Sequence, residues 1–187
     1  MAWRRQEEQQ PMPVRRSIAE KASWVNPVSG TEAEEVKIRR AEAADAEAIC
    51  NFLKEFRDAQ AKKRPDIIDG EEEILSLEEV QEALADESRL ICVAINKEDR
   101  MVGQILCETE GEEDHKKLVI ANVYVPEDSR RQTIGTQLYD EASAYAKENG
   151  CSSIELSCWS FDKEGIRFFE NLGYRQLLVT MEKRFGD

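Results

Sequence analysis

The sequence predicts an α/β (α+β) domain in which one mixed, twisted sheet carries helices on both faces. Three observations predict it: an early pair of apolar runs with hairpin spacing, later runs that alternate with helical patterns, and a length of 187 residues. Hairpins give antiparallel pairing, whereas strand–helix–strand units give parallel pairing. We therefore expect a mostly antiparallel sheet with a core large enough to need no metal or disulfide.

Charge and hydropathy argue against several classes of protein. The chain carries 39 acidic and 26 basic side chains, so its formal net charge is −13 at pH 7. This balance argues against nonspecific nucleic-acid binding and against anionic membranes, and it favours cationic partners such as amines. No apolar run approaches the roughly 20 residues that span a bilayer. The polar start Met1–Gln10 gives no expectation of a secretory leader.

The cysteines and the single histidine bear on compartment and chemistry. Five cysteines, an odd number without CxxC spacing, predict reduced thiols and a cytoplasmic location. His115 lies in a charged run that is typical of a solvated turn. A Ser/His/Asp triad, a Cys/His pair or a zinc site would need this residue, so we expect none of them and no metal.

Residues 1–35 differ from the remainder of the chain. They contain three prolines and two arginine pairs and show no sustained apolar period. We expect an N-terminal extension that is flexible or docks on a partner. Trp3 and Trp24 are unusual in a free tail and favour partial docking, and Ser17–Trp24 is compatible with a short helix. The folded domain is expected to cover residues 36–187.

The first half of this domain predicts a strand, two helices and a hairpin. Val36–Arg40 alternates in polarity, which predicts a short strand, and Ala43–Gln60 has apolar residues at helical spacing. Ser76–Glu79 has the capping-box pattern and opens a second helix that ends near Ala85. Leu90–Ile95 and Met101–Cys107 are apolar runs around a polar turn, which predicts two hairpin strands.

The second half alternates strands and helices. Leu118–Val125 is an apolar strand, and Ile134–Asn149 is a helix with one apolar stripe. Ser153–Trp159 predicts a further strand, Lys163–Leu172 a short helix, and Leu177–Phe185 a last strand. The predicted order is therefore strand, two helices, three strands, helix, strand, helix, strand.

The loop between the strand at Leu118–Val125 and the next helix has features of an anion site. The first N–H groups of a helix lack internal partners, and the helix dipole adds to their attraction for anions. Arg130 and Arg131 place two cations there, Gly135 permits close backbone approach, and Thr133 and Thr136 offer hydroxyl groups. The pattern suggests phosphate or pyrophosphate binding. A solvated loop in which Thr133 merely caps the helix is the alternative.

Several motifs together resemble the GNAT superfamily of acetyl-CoA-dependent N-acetyltransferases. Val123–Val125 followed by Arg130–Gly135 is similar to the family's cofactor motif R/Q-x-x-G-x-G/A, and Asp162–Gly173 is similar to N-x-x-A-x-x-F-Y-x-x-x-G-F. The resemblance covers Val36 to Phe185. It implies a GNAT-like sheet whose fourth and fifth strands splay apart, with acetyl-CoA as co-substrate in the wedge between them.

The resemblance also implies roles for individual residues. Backbone groups of Val123, Tyr124 and Val125 would meet the pantetheine arm, Arg167 would approach the nucleotide phosphates, and Asp162 and Phe169 would lie beside the cofactor. The expected pyrophosphate cradle consists of Arg130, Arg131, Gln132, Thr133, Ile134, Gly135 and Thr136.

Three positions depart from the family pattern. Thr133 stands at the motif's first glycine, and Asp162 stands where Asn is usual. Phe169 replaces the tyrosine that commonly protonates the departing thiolate. These departures keep two functions open: an N-acetyltransferase that works by direct transfer in a ternary complex, and a catalytically eroded acyl-CoA-binding or protein-interaction module on the same fold.

The catalytic candidates follow from the chemistry of amine acetylation. Glu108 is a possible base, Asn122 could orient the acceptor amine, and Tyr124 is a tyrosine on the cofactor strand. The acceptor is expected to be a primary amine on a small molecule, a polyamine or a peptide. We expect neither nucleic acid nor membrane as a partner, and homodimerisation is left open.

Overall fold

The computed structural model describes residues 36–112, 115–130 and 133–185. Its five strands are β1 (Lys37–Arg40), β2 (Arg89–Ile95), β3 (Met101–Glu110), β4 (Lys117–Tyr124) and β5 (Ser153–Leu156). Its four helices, within those residues, are α1 (Ala46–Lys63), α2 (Leu77–Ala85), α3 (Ile134–Glu148) and α4 (Lys163–Asn171). Short 3₁₀ turns precede α1 at Ala43–Asp45 and follow β4 at Glu127–Ser129.

The strands form one sheet in the order in which they occur along the chain. β1, β2, β3 and β4 pair with one another antiparallel, and β5 pairs with β4 in parallel. The predicted mixed and mostly antiparallel sheet is therefore confirmed. The one parallel pair arises because α3 carries the chain across the sheet between β4 and β5.

Successive side chains of β2 point to opposite faces of the sheet, and the consecutive residues Leu90–Ala94 are all buried. Both faces of the sheet are therefore covered at this strand. One cluster lies with α3 and α4 and includes Cys92, Ile105, Leu118, Ile134, Leu138 and Phe169. The other lies with α1 and α2 and includes Ile49, Leu53, Val80, Ile91, Val93 and Leu106. Helices on both faces, as the sequence predicts, thus account for the near-continuous apolar runs of the central strands.

Close packing fixes the position of α3 on the sheet. A methyl group on Gly103 would lie 3.0 Å from Cγ2 of Ile134 and 3.2 Å from Cδ1 of Leu138. The absence of a side chain on β3 therefore allows the first turns of α3 to approach the strand. This contact sets the height of the α3 N-terminus above the end of β4.

Local signals explain where the first two helices start. The Ser76 hydroxyl accepts from Glu79 N–H while the Glu79 carboxylate accepts from Ser76 N–H, so the predicted capping box is confirmed. Before α1, the Arg39 guanidinium donates to both carboxylate oxygens of Asp45, at 2.7 and 2.9 Å. That bidentate pair joins β1 to the start of α1.

The structure corrects several predicted boundaries. The first helix begins at Ala46 after a 3₁₀ turn and continues to Lys63, beyond the predicted end at Gln60. The fifth strand ends at Leu156 rather than at Trp159. The predictions for residues 1–35 lie outside the described residues. None of the helices in the described part of the chain is both long and apolar enough to cross a membrane.

The prediction of a last strand at Leu177–Phe185 is wrong for the structure described. Residues 174–185 belong to neither strand nor helix, and side chains such as Leu178 and Met181 are 86 % and 89 % exposed. Alternating polarity shows that a segment could lie on a sheet. It does not show that a strand edge is within hydrogen-bonding distance.

Candidate acyl-CoA site

The wedge expected between the fourth and fifth strands is present. β4 and β5 pair from Lys117 with Ser153 to Ile120 with Leu156, and there the pairing ends. β4 continues to Tyr124. The last four residues of β4 therefore present backbone N–H and C=O groups on the side where β5 has ended. Such groups bind an extended ligand in the way that a neighbouring strand would.

A bulge in β4 lies at the start of this wedge. Cys107 pairs with Ile120 and Leu106 pairs with Asn122, so Ala121 has no partner on β3. A bulge leaves its extra residue outside the ladder and changes the face to which the following side chains point. Val123 consequently packs on the α3 side, whereas Asn122 and Tyr124 point to the α1 side.

The wedge opens into a cavity of about 390 Å³. Its walls come from the C-terminal half of α1, the end of β4, the loop before α3, the segment after β5 and the first turns of α4. Of the cofactor residues predicted from the sequence, the following line it: Val123, Tyr124, Val125, Arg130, Thr133, Ile134, Gly135, Thr136, Asp162 and Phe169. Arg131 and Gln132 lie outside the described residues.

The N-terminus of α3 faces the cavity with its backbone N–H groups. Thr133 is the residue before the helix and has φ 64° and ψ 1°. Its side chain makes no N-cap hydrogen bond with the helix backbone, and its Oγ1 instead accepts from Gln137 Nε2 at 3.0 Å. The interpretation of Thr133 as a simple side-chain cap is therefore not supported. Left-handed backbone favours glycine and is unfavourable for a β-branched residue. This geometry explains why the GNAT-like motif has glycine at this place.

The role expected for Gly135 needs correction. A methyl group there would lie 3.5 Å from the Phe168 ring, which is an ordinary van der Waals distance, and Gly135 is not among the glycines with positive φ. The missing side chain thus faces α4. Close approach of a ligand depends on the backbone N–H groups of this turn rather than on an absent Cβ.

Arg130 connects three parts of the site. Its Nε donates to the carbonyl oxygen of Val125 at 3.0 Å, and its Nη1 donates to Glu164 Oε2 at 3.1 Å. The guanidinium is therefore held at the mouth of the cavity, beside the α3 N-terminus. Arg167, the other cationic residue of the described part that was predicted to approach the phosphates, is exposed on α4 and does not line the cavity.

Asp162 begins α4 as a capping residue. Its carboxylate accepts from Gly165 N–H at 3.4 Å and lies 3.6 Å from Nζ of Lys63 on α1. A methyl group on Gly165 would come within 2.6 Å of the Asp162 carboxylate, so the small residue allows this cap. The negative charge that Asp brings in place of Asn is thus compensated by Lys63.

The three catalytic candidates separate in the structure. Asn122 and Tyr124 line the cavity, but Glu108 does not. Glu108 pairs with Val119 on β4, in the part of β4 that is still paired with β5. Its Oε2 lies 3.8 Å from Nη2 of Arg89. It lies on the far side of the bulge from the wedge and outside the cavity lining, so the structure does not support it as the base.

The environment of Tyr124 keeps its hydroxyl protonated. Burial, with a smaller contribution from the Glu55 carboxylate, raises the pKa of Tyr124 above its ordinary value. The hydroxyl donates to Glu55 at the long distance of 3.5 Å, and the ring contacts Phe52 and Phe56 edge-on. Tyr124 thus presents a protonated hydroxyl that is held against α1.

Cys158 lines the cavity without the features of a nucleophile. Cys158 is exposed at the cavity wall, and partial desolvation of its thiol there, followed by the negative charge of Asp162, raises the pKa of Cys158 to about 11. The thiolate is therefore scarce at neutral pH. This environment argues against an acyl-cysteine route.

Sequence reasoning missed the α1 wall of the site. Gln60 is only 6 % exposed, and its Oε1 has no hydrogen-bond partner among the described residues. Asn122 is equally buried; its Oδ1 accepts from Gln104 at 3.0 Å, while its Nδ2 has no partner in the described part. The available signal was a polar residue on the apolar stripe of α1, which continues from Ile49 and Leu53 to Gln60.

Comparisons with known proteins agree with this geometry. The sequence model described as the acetyltransferase (GNAT) family matches residues 49–174, about two thirds of the chain. The chain belongs to the GNAT acetyltransferase family. Members of this family are in general acetyl-CoA-dependent N-acetyltransferases. No curated protein matches the sequence.

Solved structures share the fold. A mutant of the BH1408 protein from Bacillus halodurans superposes with a TM-score of 0.74 at 23 % identity, over 80 % of this chain and 99 % of that one. An aminoglycoside acetyltransferase from an uncultured soil metagenomic sample, solved with sisomicin, gives 0.63 at 17 % identity, over 81 % and 97 %. A ribosomal-protein-alanine N-acetyltransferase from Brucella melitensis gives 0.60 at 22 %, over 81 % and 100 %.

Proposed function

We propose that the chain transfers an acetyl group from acetyl-CoA to a primary amine, directly, in a ternary complex of enzyme and both substrates. The wedge is the observation that carries this proposal. Its free β4 backbone after Ile120 leads to the N-terminus of α3 and to Arg130. Acetyl-CoA has an extended arm that contains amide groups and has a pyrophosphate at one end. Its amides could pair with the β4 backbone while its pyrophosphate binds at the α3 N-terminus and Arg130.

The residues present fit acetyl-CoA with one local adaptation. The α3 N–H groups and Arg130 would hold the pyrophosphate, and the β4 backbone at Val123 and Val125 would pair with the pantetheine amides. Glu164 already accepts a hydrogen bond from Arg130. The phosphate oxygens would share that guanidinium or displace the carboxylate, whose side chain is 77 % exposed.

Two unpartnered amide atoms, Gln60 Oε1 and Asn122 Nδ2, belong to residues that line the cavity and suit its acceptor half. A neutral amine can donate to Gln60 Oε1 while Asn122 Nδ2 donates to the thioester carbonyl oxygen. The second contact would strengthen as negative charge develops on that oxygen in the transition state. We propose Asn122 as the oxyanion donor, Gln104 as the residue that orients it, and Gln60 as the contact to the amine.

The chemical step forms a C–N bond to the acetyl carbon and breaks the C–S bond, whose electron pair leaves on sulfur. The ammonium proton must leave before attack. The lining carboxylates, Asp162 and Glu164, are engaged with Lys63 and Arg130, so we assign this deprotonation to water. Tyr124 is the proposed donor of a proton to the thiolate, in place of the tyrosine that Phe169 replaces. The attacking nitrogen loses its second proton to water as the intermediate collapses, and a proton from water restores the Tyr124 hydroxyl.

Binding and turnover test this proposal separately. Calorimetric titration with acetyl-CoA and with CoA should give saturable binding near micromolar affinity. Thiol release from acetyl-CoA should then rise when a primary amine from a panel of polyamines, aminoglycosides and peptide α-amines is added. Absence of binding at millimolar acetyl-CoA would refute both the enzyme and any acyl-CoA module.

The alternative of an eroded acyl-CoA-binding module has specific support in Thr133 and Phe169. The first places a β-branched side chain in left-handed backbone at the pyrophosphate turn, and the second lacks a transferable proton. Saturable acetyl-CoA binding without thiol release for any amine class would favour this alternative.

A further inference from the structure

The rim of the cavity beside α1 combines aromatic rings with carboxylates. The Tyr124 ring, which lines the cavity, meets the rings of Phe52 and Phe56 edge-on, with centroids 5.7 and 6.0 Å apart. All three rings are half-buried. The Glu55 carboxylate, from the same stretch of α1, lies 3.5 Å from the Tyr124 hydroxyl. Aromatic rings and carboxylates both attract ammonium groups, so this rim has the chemistry of a cation site.

Glu55 differs from the carboxylates that line the cavity because no cation neutralises it. Asp162 and Glu164 each have a basic partner on a neighbouring element, at 3.6 and 3.1 Å. Among the described residues Glu55 forms no ion pair, and its hydrogen bond from Tyr124 is long. A negative charge held at the mouth of a cavity without a countercharge attracts a cationic ligand.

A second carboxylate acts on the same hydroxyl from another element. Asp128 lies on the 3₁₀ turn after β4, and its carboxylate accepts from the Ser129 hydroxyl at 3.2 Å. Burial, followed by the Glu55 charge, raises the pKa of Tyr124. The Arg130 charge lowers this pKa, and the Asp128 charge raises it further. Carboxylates from α1 and from this turn therefore act on one hydroxyl at the cavity wall.

Buried amide atoms in the same cavity point to a ligand independently of these charges. Gln60 and Asn122 are each only 6 % exposed, and Gln60 Oε1 and Asn122 Nδ2 have no partner among the described residues. A buried carbonyl oxygen without a donor is unfavourable, and an amine supplies that donor. The cavity thus has an uncharged contact for one amine and, beside Tyr124, a negatively charged site for another.

Spacing along β4 relates these two positions. Asn122, the proposed oxyanion donor, and Tyr124 are two residues apart on one face of the strand, which corresponds to about 6.6 Å. An extended aliphatic chain advances about 1.2 Å per bond, so nitrogens at this separation are joined by about four or five carbon atoms. Phe56 and Ala59 line the cavity and offer apolar surface to the methylene groups between them.

We propose that the acceptor is an aliphatic diamine, or a polyamine with the same spacing, whose second ammonium group binds at Glu55 and the Tyr124 ring with Asp128 nearby. The proposal rests on the proposed function, because it takes the reacting amine to lie at Asn122 and Gln60. The net charge of −13 favours a dication over a monoamine of equal length. Glu55 then selects the acceptor and takes no part in acetyl transfer.

Calorimetry on the full chain, with and without saturating CoA, tests the proposal independently of turnover. Pentane-1,5-diamine should bind about 10- to 100-fold more tightly than pentylamine, as expected for a contact between charged groups. Glu55→Gln should reduce this preference to about threefold or less. Glu47→Gln is the matched control, because it removes the same charge from an exposed position on the same helix, about 12 Å away along the axis. It should leave the preference unchanged.

Turnover gives a second comparison. The ratio of kcat/KM for pentane-1,5-diamine to that for pentylamine should fall in Glu55→Gln by the same factor as the binding preference. The ratio cancels any effect of Glu55 on proton donation by Tyr124, since both acceptors share that step. Raising the salt concentration should weaken binding of the diamine more than binding of the monoamine.

Two results would overturn the proposal. One is equal affinity of the wild type for pentane-1,5-diamine and pentylamine, and the other is a diamine preference that Glu55→Gln leaves unchanged. Circular dichroism should show the same fold for both variants, since Glu55 and Glu47 are exposed. Failure of the proposed function has a different signature, namely no acetyl-CoA binding or no thiol release with any amine, and the calorimetric comparison of the two amines does not depend on it.

Discussion

Thr133 occupies a left-handed backbone conformation that is unfavourable for a β-branched residue, at the turn where the pyrophosphate is proposed to bind. Its φ of 64° places it in the left-handed region, where non-glycine residues lose about 1–2 kcal/mol. A hydrogen bond from Gln137 Nε2 to its Oγ1, at 3.0 Å, returns part of that cost. The hydrogen bond from Gln137 therefore offsets part of the strain in the Thr133 backbone.

Replacing this residue measures the strain. Thr133→Gly should raise the free energy of unfolding by up to about 1 kcal/mol, because relief of the left-handed strain exceeds the entropy cost of glycine. Thr136→Gly, three residues on within α3, should lower it by about 1 kcal/mol. Urea denaturation of both variants gives the comparison. Equal destabilisation by the two substitutions would contradict a left-handed Thr133.

Gln60 is predicted to bind the acceptor amine, although its unpartnered buried Oε1 lowers the stability of the folded protein. Gln60→Met should leave acetyl-CoA affinity unchanged, raise the acceptor KM about tenfold, and keep or raise the melting temperature, since an unsatisfied buried oxygen is removed. Thr109→Val is the control, because its buried hydroxyl also lacks a partner among the described residues but does not line the cavity. It should leave the kinetics unchanged. Loss of stability in Gln60→Met with an unaltered KM would point to a structural role.

A substitution of Phe169 tests which residue donates a proton to the CoA thiolate. The ring is 6 % exposed, lines the cavity and packs on Phe168 and Tyr174. Phe169→Tyr should raise kcat by about 10- to 100-fold if donation from Tyr124 is inefficient, within the range of general acid catalysis. Steady-state thiol release checks this, with Phe168→Tyr as a control of similar size change. An unchanged kcat alongside a large loss in Tyr124→Phe would assign the proton to Tyr124 alone.

At this scale, sequence reasoning named more of the cavity lining near α3 than of the lining on α1. The loop before α3 was recognisable because a few residue types in fixed order are typical of an anion site. Gln60 and Lys63 were missed since their meaning depends on which strand faces α1, and Glu108 was misplaced for the same reason. A bulge at Ala121 cannot be read from residue types, yet it decides where Asn122 and Tyr124 point.

Among the elements, β1 and α1 are joined by a pair that gives stability a defined pH dependence. Hydrogen bonds from Arg39 hold the pKa of Asp45 below its ordinary value of 3.8. The stabilisation is complete above about pH 3.8 and is lost as the pH falls through the lower pKa of the folded state. The acidic limb of the stability curve therefore contains the contribution of this pair.

Asp45→Asn should lower the free energy of unfolding by about 1–3 kcal/mol at pH 7. The difference in the free energy of unfolding between the variant and the wild type should become smaller below pH 3.8. Denaturation at pH 7, 5 and 3 checks the prediction. Asp66→Asn, in the exposed pair with Arg64, is the comparison and should change stability much less. A gap that stays constant across this range would exclude titration of Asp45 as its cause.

Elements with strong local signals were predicted well, and elements defined by a distant partner were not. The hairpin of β2 and β3, the capping box of α2 and the amphipathic α3 all rest on contacts within a few residues. The last predicted strand failed because pairing needs an edge supplied from elsewhere. Early termination of β5 is likewise a property of its relation to β4 and was not visible in its composition.

For the whole molecule, buried thiols report on global unfolding. Burial raises the pKa of Cys92 to about 11 and that of Cys107 to about 12, and both side chains lie in the core beside α3. A thiol reagent at neutral pH should therefore label them only when the fold opens. If acetyl-CoA binds the folded state as proposed, a concentration of 100 times its dissociation constant should slow that labelling about 100-fold.

Mass spectrometry of protein labelled with and without acetyl-CoA measures this effect. The more accessible Cys50 and Cys151 serve as internal controls, since their labelling should respond little. Equal rates for Cys107 in both samples would mean that labelling occurs through a local opening or that acetyl-CoA does not bind.

The agreement between strand order and chain order has a consequence for folding. The pairs β2–β3 and β3–β4 join strands that are close in sequence, so they close short loops and form early. Two pairs close longer connections: β1 joins β2 across α1 and α2, and β5 joins β4 across α3. The ability to bind acyl-CoA should therefore appear last, after β2, β3 and β4 have paired, both in refolding and during synthesis on the ribosome.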